Sequence, residues 1–242
     1  MAAPLLLVHG GAHGAWCWEP TLAVLSAEAL AVDLPPRSIR GGPGRHQAPP
    51  GLEDIGVSDW ADAVLAEADR VGWNRFVLVG HSLGGLTVAE VCRRAPRRVA
   101  HAVYVSAVVP EEGSCVADLL GLPGQPEDGQ LGMSEELAAA MFCSDMDEAQ
   151  TRFVLDHLGL EAWRPLIEPV DRSGLDPSLP TTYVRLARDQ ALAPPVQEAC
   201  VAALRAACPG LEVAEIDSGH DVMVSRPAEL AAVLDRVASS AG

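Results

Sequence analysis

The chain has 242 residues, of which 49% are hydrophobic and only 4% aromatic, so it can bury a sizeable aliphatic core and is not disordered. Lysine and arginine number 17 against 33 aspartates and glutamates, which gives a formal net charge of −16. A surface this acidic repels phosphate backbones and anionic lipids, so we expect neither nucleic acid nor a membrane among the partners.

Short apolar runs alternate along the chain with longer segments of helical periodicity. Six runs predict strands: Leu5–Val8, Leu30–Val32, Phe76–Val79, Ala102–Ser106, Tyr183–Ala187 and Val213–Ile216. Five segments predict helices: Glu19–Ala27, Ser58–Val71, Leu86–Ala95, Val196–Ala207 and Ala228–Ala238. Strands and helices that alternate in this way form βαβ units. We therefore predict an α/β fold with a mostly parallel sheet and helices on both of its faces.

Two regions interrupt this alternation. Residues 35–51 contain too much proline and glycine for a helix or a strand, so we predict a long surface loop there. Residues 110–178, which we call the insertion, contain short helical patterns but no good strand. An insertion between two strands suggests a helical lid over a site, although a helical addition without a functional role also fits. Residues 1–109 and 179–242 form the predicted core of a single domain.

The start of the chain and the cysteines point to a cytoplasmic protein. The apolar run Leu5–Val8 is too short for a signal peptide, and no basic segment precedes it. No stretch approaches the roughly 20 apolar residues of a membrane span. The cysteines show neither a Cys-x-x-Cys pair nor the spacing of a disulfide framework, so we expect reduced, mostly buried thiols. They are Cys17, Cys92, Cys115, Cys143, Cys200 and Cys208.

The sequence Gly80-His81-Ser82-Leu83-Gly84 carries the clearest chemical signal. A predicted strand (FVLV) precedes it and a predicted helix (LTVAEVCRRA) follows it, which is the setting in which a Gly-x-Ser-x-Gly motif presents a nucleophile. The glycines permit a sharp turn, and the helix N-terminus favours negative charge that develops nearby. We therefore predict Ser82 as a catalytic nucleophile; a structural glycine turn with an idle serine is the alternative.

A serine nucleophile needs a base and an acid that orients the base. His220 follows the last predicted strand, and its loop emerges at the same sheet edge as Ser82, so we predict it as the base. Asp189 lies two residues beyond the strand Tyr183–Ala187, and we predict it as the acid. The chain order serine, aspartate, histidine is one of the orders known for such triads.

Other acidic residues and histidines are weaker candidates. Glu111 and Glu112 follow the fourth predicted strand, where some hydrolases place the acid, and Asp217 stands close to the base in sequence. The histidines are scattered, without carboxylates at metal-ligand spacing, so we expect no metal.

Two backbone N–H groups are required to bind the oxyanion that forms in acyl transfer. We predict that Leu83 supplies one and that Gly11, in the turn HGGAHG after the first strand, supplies the other, with Ala12 as its neighbour. Ala12 and His81 are also candidates for contact with the substrate. Apolar residues of the insertion could line a pocket, although packing onto the core accounts for them equally well. They are Leu119, Leu120, Met133, Met141, Phe142, Phe153 and Trp163.

Four segments together resemble the α/β-hydrolase superfamily: LLLVHGGAHGAWCWEP, FVLVGHSLGGLTVAEVC, RDQALAPPVQEA and DSGHDVMVSRPAELAAVL. They are most similar to the branch that contains plant methyl esterases acting on salicylate or jasmonate esters, hydroxynitrile lyases and many bacterial relatives. The likeness spans nearly the whole chain and is weakest in the insertion. In that branch the acid stands eight residues before a glutamine, and Asp189 and Gln197 reproduce this spacing. The resemblance implies an α/β-hydrolase fold with a sheet of about six strands.

Two departures from the branch bear on the reaction. Its hydroxynitrile lyases have a threonine where this chain has Gly10 and a lysine where it has Asp221, and cyanide elimination depends on that lysine's charge. Its ketone-forming decarboxylases lack the serine that this chain has at Ser82. We therefore predict a serine hydrolase that cleaves a small hydrophobic carboxylic ester or thioester through an acyl-enzyme, without a cofactor, as a monomer or homodimer. A lyase, cyclase or lactonase that uses the same site is the alternative, and a ligand-binding module without turnover is a third hypothesis.

Overall fold

The computed structural model describes residues 2–35, 51–122, 130–131 and 133–242. Apart from its two end residues, the predicted loop 35–51 lies outside the described part of the chain. Eight strands are present within that part: β1 (Leu5–Val8), β2 (Ala29–Val32), β3 (Phe76–His81), β4 (Val99–Val105), β5 (Gln130–Leu131), β6 (Glu161–Ala162), β7 (Thr181–Leu186) and β8 (Glu212–Ile216).

Six of these strands form one sheet in the order β2-β1-β3-β4-β7-β8, and every neighbouring pair is parallel. The strands β1, β3 and β4 are buried along their whole length. Parallel strands covered on both faces have no solvent-facing positions, which is why they appear in the sequence as continuous apolar runs. The predicted six-stranded, mostly parallel sheet is confirmed.

Helices cover both faces of the sheet. The α-helices of the described residues are α1 (Glu19–Leu22), α2 (Val57–Arg70), α3 (Gly84–Arg94), α4 (Val116–Leu120), α5 (Glu135–Phe142), α6 (Glu148–His157), α7 (Arg164–Ile167), α8 (Pro194–Ala207), α9 (Val222–Ser225) and α10 (Pro227–Ser240). Short 3-10 helices occupy Ala15–Trp18, Leu52–Asp54 and Pro96–Arg98. None of the described helices is long and apolar enough to cross a membrane.

Alternate side chains of the strands enter two separate cores, because successive residues of a strand point to opposite faces. Leu6 and Leu78 pack with side chains of α2, α3 and α8 in the first core. Leu5, Leu7 and Val77 pack with side chains of α5, α6, α9 and α10 in the second. All six cysteines are buried, free thiols, as the sequence predicts.

Two expectations about local structure are wrong. The predicted helix Glu19–Ala27 ends at Leu22. The backbone N–H groups of Ser26 and Ala27 instead donate to the Asp235 carboxylate of α10, at 3.1 and 2.8 Å, so tertiary contacts replace helical hydrogen bonds there.

The second correction concerns the insertion, which does contain strands. Its strands β5 and β6 pair in the antiparallel direction. Each has only two residues, and so short a strand carries no alternating pattern that sequence analysis can recognise.

Candidate active site

Ser82 occupies a sharp turn between β3 and α3. Its φ is +51°, in the left-handed region that residues with a side chain rarely adopt. Its N–H donates to Val105 O at 3.1 Å, and its carbonyl accepts from the N–H groups of Gly85 and Val108, each at 3.0 Å. Strain of this kind costs about 1–3 kcal/mol and persists only where surrounding contacts impose it.

The glycines that flank Ser82 allow the backbone segments to approach each other closely. A Cβ on Gly80 would lie 2.6 Å from Gly84 O, and a Cβ on Gly10 would lie 2.7 Å from Ser82 Cβ. Both distances are too short for any side chain. The predicted sharp turn at Ser82 therefore requires glycine at these positions.

Asp189 and His220 meet at the carboxyl edge of the sheet, after β7 and β8. His220 Nδ1 donates to Asp189 Oδ2 at 2.7 Å, and both residues are about 1% exposed. Burial opposes ionisation of Asp189, but His220, the Ser106 hydroxyl and the Leu192 N–H outweigh it, and the net effect lowers the pKa of Asp189. Burial likewise opposes protonation of His220, but Asp189 and Asp221 outweigh it and raise its pKa above 6.5.

The structure separates Asp189 from the alternative acids. Asp217 pairs with Arg188 at 2.7 Å on the surface. Glu112 accepts a hydrogen bond from the N–H of Arg172 at 2.8 Å, and Glu111 is exposed. Of the candidate acids, Asp189 is the one that contacts His220.

With Nδ1 bound to Asp189, the His220 Nε2 is the nitrogen that remains for proton exchange. Among the described residues, no hydrogen bond joins the Ser82 hydroxyl to this nitrogen. Such contacts are often long without substrate and tighten only in the complex, so the catalytic roles of these residues stay predictions.

His81 lies buried between the turn and the base. Its ring centroid is 4.5 Å from that of His220, and its Nε2 donates to His220 O at 3.0 Å. Burial, reinforced by the neighbouring His220, lowers the pKa of His81 to about 3, so the ring is neutral. His81 therefore braces the base, and its predicted contact with the substrate stays a prediction.

Gly11 and Leu83 lie side by side, since a Cβ on Gly11 would be 3.2 Å from Leu83 Cδ2. Within the described part of the chain, neither backbone N–H of this pair donates a hydrogen bond. Two unpaired donors, one on the residue after Ser82 and one on the residue after Gly10, which packs against Ser82, fit the predicted oxyanion hole. Ala12 is not available as a donor in this hole, because its N–H already donates to Glu161 Oε2 at 2.9 Å.

The insertion residues separate into two groups. The Phe142 ring lies 5.6 Å from the ring of His220 and 5.0 Å from that of His13, with Met141 packed in the same core. Trp163 and Leu119 belong to the other core, which contains Leu83. Phe142 thus contacts the base directly, and the predicted contacts of Leu119, Met141 and Trp163 with the substrate stay predictions.

Three further residues of the site were missed by sequence reasoning or left without a role. Ser106 donates its hydroxyl to Asp189 Oδ2 at 2.6 Å. Asp221 Oδ2 accepts from His13 Nε2 at 2.8 Å, so the aspartate that replaces the lyase lysine forms a buried pair. Glu161 is one of many acidic residues of the insertion, and no pattern around it indicates that it is buried against the turn that contains Ala12.

One group of side chains has the composition of a metal site. Ligating atoms of His81, His220 and Asp221 lie within 4.8 Å of one another. Each of these side chains already makes a hydrogen bond within the network described above. We assign the three residues to that network, and the expected absence of a metal stays a prediction.

The comparisons with known proteins identify the class. The model of the Alpha/beta hydrolase family matches residues 5–233, so this chain belongs to that family. It is 30% identical to esterase PIR7B of Oryza sativa subsp. japonica, across 97% of this chain and 95% of the relative. It is 28% identical to the carbendazim hydrolyzing esterase of Nocardioides sp. (strain SG-4G), across 95% of this chain and 97% of the relative.

Solved structures support the same fold. The methylesterase MES16 from Arabidopsis superimposes with a TM-score of 0.76 at 20% identity, across 98% of this chain and 99% of that one. A pyrethroid hydrolase from Sphingobium faniae JZ-2 superimposes with a TM-score of 0.76 at 21% identity, across 99% of this chain and 98% of that one. At this level of identity the likeness concerns the fold.

Proposed function

We propose that this chain is a serine hydrolase that cleaves small hydrophobic carboxylic esters or thioesters through an acyl-enzyme. Ester hydrolysis is the activity that membership of the family and the esterases among its relatives support. The observation that carries the triad is the 2.7 Å contact of His220 Nδ1 with the buried Asp189, beside the strained turn that holds Ser82.

In the proposed mechanism, His220 Nε2 removes the hydroxyl proton of Ser82 as Oγ attacks the ester carbonyl. The N–H groups of Gly11 and Leu83 bind the oxyanion, and Asp189 stabilises the imidazolium and fixes its tautomer. The intermediate then expels the alcohol, which takes the proton from His220. A water molecule then gives one proton to His220 and attacks the acyl carbonyl. The bond between this carbon and Ser82 Oγ breaks, His220 returns the proton to Oγ, and the acid is released. No cofactor takes part.

The surroundings of the base favour an apolar, uncharged substrate. Phe142 stacks near the His220 ring, and Trp16 stacks on His13 with ring centroids 5.3 Å apart. The net charge of −16 also disfavours polyanions. We propose that the insertion, residues 110–178, acts as a lid over the site, and that the protein works in the cytoplasm as a monomer or homodimer.

A fluorophosphonate probe followed by intact mass spectrometry tests the nucleophile. We expect a single label on the folded protein, its loss in Ser82→Ala and its retention in Ser178→Ala, which removes an exposed serine hydroxyl. Absence of label on the folded wild type would refute the proposed nucleophile.

A panel of esters that varies the acyl and alcohol groups separately tests the substrate class. We expect the highest kcat/KM for small apolar groups on both sides of the ester. Turnover that survives in Ser82→Ala would favour a lyase or cyclase reaction in which the serine orients the substrate without attacking it.

A further inference from the structure

The peptide between Gly11 and Ala12 is held at both ends by buried side chains. Its carbonyl, Gly11 O, accepts from His13 Nδ1 at 2.7 Å. Its N–H, on Ala12, donates to Glu161 Oε2 at 2.9 Å. The orientation of this peptide therefore depends on one side chain of the turn and one of the insertion.

The His13 ring makes a hydrogen bond at each of its two nitrogens. Its Nδ1 lies 2.7 Å from Gly11 O and its Nε2 lies 2.8 Å from the Asp221 carboxylate. His13 and Asp221 are 1% and 0% exposed, so water does not replace either contact. The contact with Asp221 thus fixes the ring in the orientation that places Nδ1 against Gly11 O.

The insertion also holds the other backbone group of Ala12. The carbonyl of Ala12 accepts from the N–H of Gly159 at 2.7 Å, and the other oxygen of Glu161 accepts from the Ala162 N–H at 3.0 Å. Ala12 has a φ of +61°, a conformation that an alanine keeps only when its surroundings impose it. The segment from Gly159 to Glu161 provides these contacts.

The preceding peptide is held as well. Gly10 O accepts from His9 Nδ1 at 2.8 Å, so the Gly11 N–H of the same trans peptide points to the opposite side, away from His9. Two consecutive glycines make this turn easy to reorient, since they tolerate almost any φ and ψ. Without fixed neighbours, the Gly11 N–H would point toward the oxyanion only part of the time.

We propose that Glu161, together with the His13–Asp221 pair, positions the Gly11 N–H for the oxyanion and so couples the insertion to the oxyanion hole. This inference rests on the proposed function, in which Gly11 is an oxyanion donor. Glu161 and Asp221 are positioning residues that act through the Gly11–Ala12 peptide.

The test compares Glu161→Ala and Glu161→Gln with a matched control, Glu168→Gln. Glu168 is also a glutamate of the insertion, and its carboxylate accepts a hydrogen bond from a backbone N–H of the core, that of Val57, at 2.9 Å. Val57 stands at the start of α2, outside the turn that contains Gly11. The readouts are kcat, KM and inhibition by two ketones of the same shape. A trifluoromethyl ketone forms a hemiketal oxyanion with the serine, whereas the corresponding methyl ketone binds largely unreacted.

We expect Glu161→Ala to lower kcat about tenfold or more, below the 10²–10³-fold loss for outright removal of an oxyanion donor, with KM changed less than about twofold. Affinity for the trifluoromethyl ketone falls by the same factor as kcat/KM, and affinity for the methyl ketone is unchanged. Glu161→Gln retains one oxygen for the Ala12 N–H and recovers part of the loss. Asp221→Asn lowers the affinity for the trifluoromethyl ketone and leaves that for the methyl ketone unchanged. Glu168→Gln has the kinetic constants and inhibitor affinities of the wild type.

Backbone amide NMR provides a readout that does not need turnover. We expect the Gly11 resonance to shift or broaden in Glu161→Gln and to stay unchanged in Glu168→Gln. An unchanged Gly11 resonance together with unchanged trifluoromethyl ketone affinity would overturn the positioning role. A wild type that reacts with neither fluorophosphonate nor ester would instead refute the proposed function, and the Gly11 resonance would still decide whether Glu161 orients the turn.

Discussion

Replacing Ser106 with alanine removes one of four hydrogen bonds that the Asp189 carboxylate accepts. The donors are the Ser106 hydroxyl at 2.6 Å, His220 Nδ1 at 2.7 Å, and the N–H groups of Ala191 and Leu192, each at 2.8 Å. Asp189 is 1% exposed, so water does not replace the lost donor. A hydrogen bond to a buried charge contributes about 1.5–3 kcal/mol, and we expect Ser106→Ala to lower the free energy of unfolding by that amount.

The same substitution changes the base in a defined direction. The Ser106 hydroxyl stabilises the ionised form of Asp189, so its removal raises the pKa of Asp189. The carboxylate then holds the His220 imidazolium more strongly, and the pKa of His220 rises further. Because the base acts in its neutral form, the acidic limb of the kcat/KM profile moves to higher pH.

Urea unfolding at pH 7 and a pH–rate profile measure these two effects. In an Asp189→Ala background, Ser106→Ala should lower the free energy of unfolding much less, because the hydrogen-bond partner of Ser106 is already absent. An equal loss of unfolding free energy in both backgrounds would refute the reasoning. So would an acidic limb of the kcat/KM profile that moves to lower pH.

Two other substitutions test the charges and the packing of the site. Asp221→Asn removes a negative charge that raises the pKa of His220, so the acidic limb of kcat/KM should move to lower pH; a shift to higher pH would contradict this electrostatic account. Gly10→Ala places a Cβ 2.7 Å from Ser82 Cβ and should reduce kcat at least about tenfold by displacing the nucleophile. Gly210→Ala is the control, since a Cβ there meets nothing within 4 Å, and activity should be unchanged; full activity of Gly10→Ala would show that the turn adjusts freely.

The parts of the fold that follow from local patterns were predictable from the sequence. The run FVLV predicts β3 because a strand buried on both faces leaves no position for polar residues. The glycines around Ser82 predict the sharp turn because no other residue fits so close to the neighbouring segments. The helix predicted from Glu19 failed at Leu22 because the competing hydrogen bonds come from Asp235, more than 200 residues away.

The sequence by itself determined the fold class, the turn that holds Ser82 and the edge of the sheet at which Asp189 and His220 come together, because backbone conformation and burial repeat with the period of each element. Only the tertiary structure decided how the side chains of that edge pair with one another. Three hydrogen bonds of the site join residues that are far apart in the sequence. The separation is 83 residues for Ser106 and Asp189, 149 for Ala12 and Glu161, and 208 for His13 and Asp221. Such contacts form between loops that the parallel sheet brings to one edge, and no local spacing in the sequence records them.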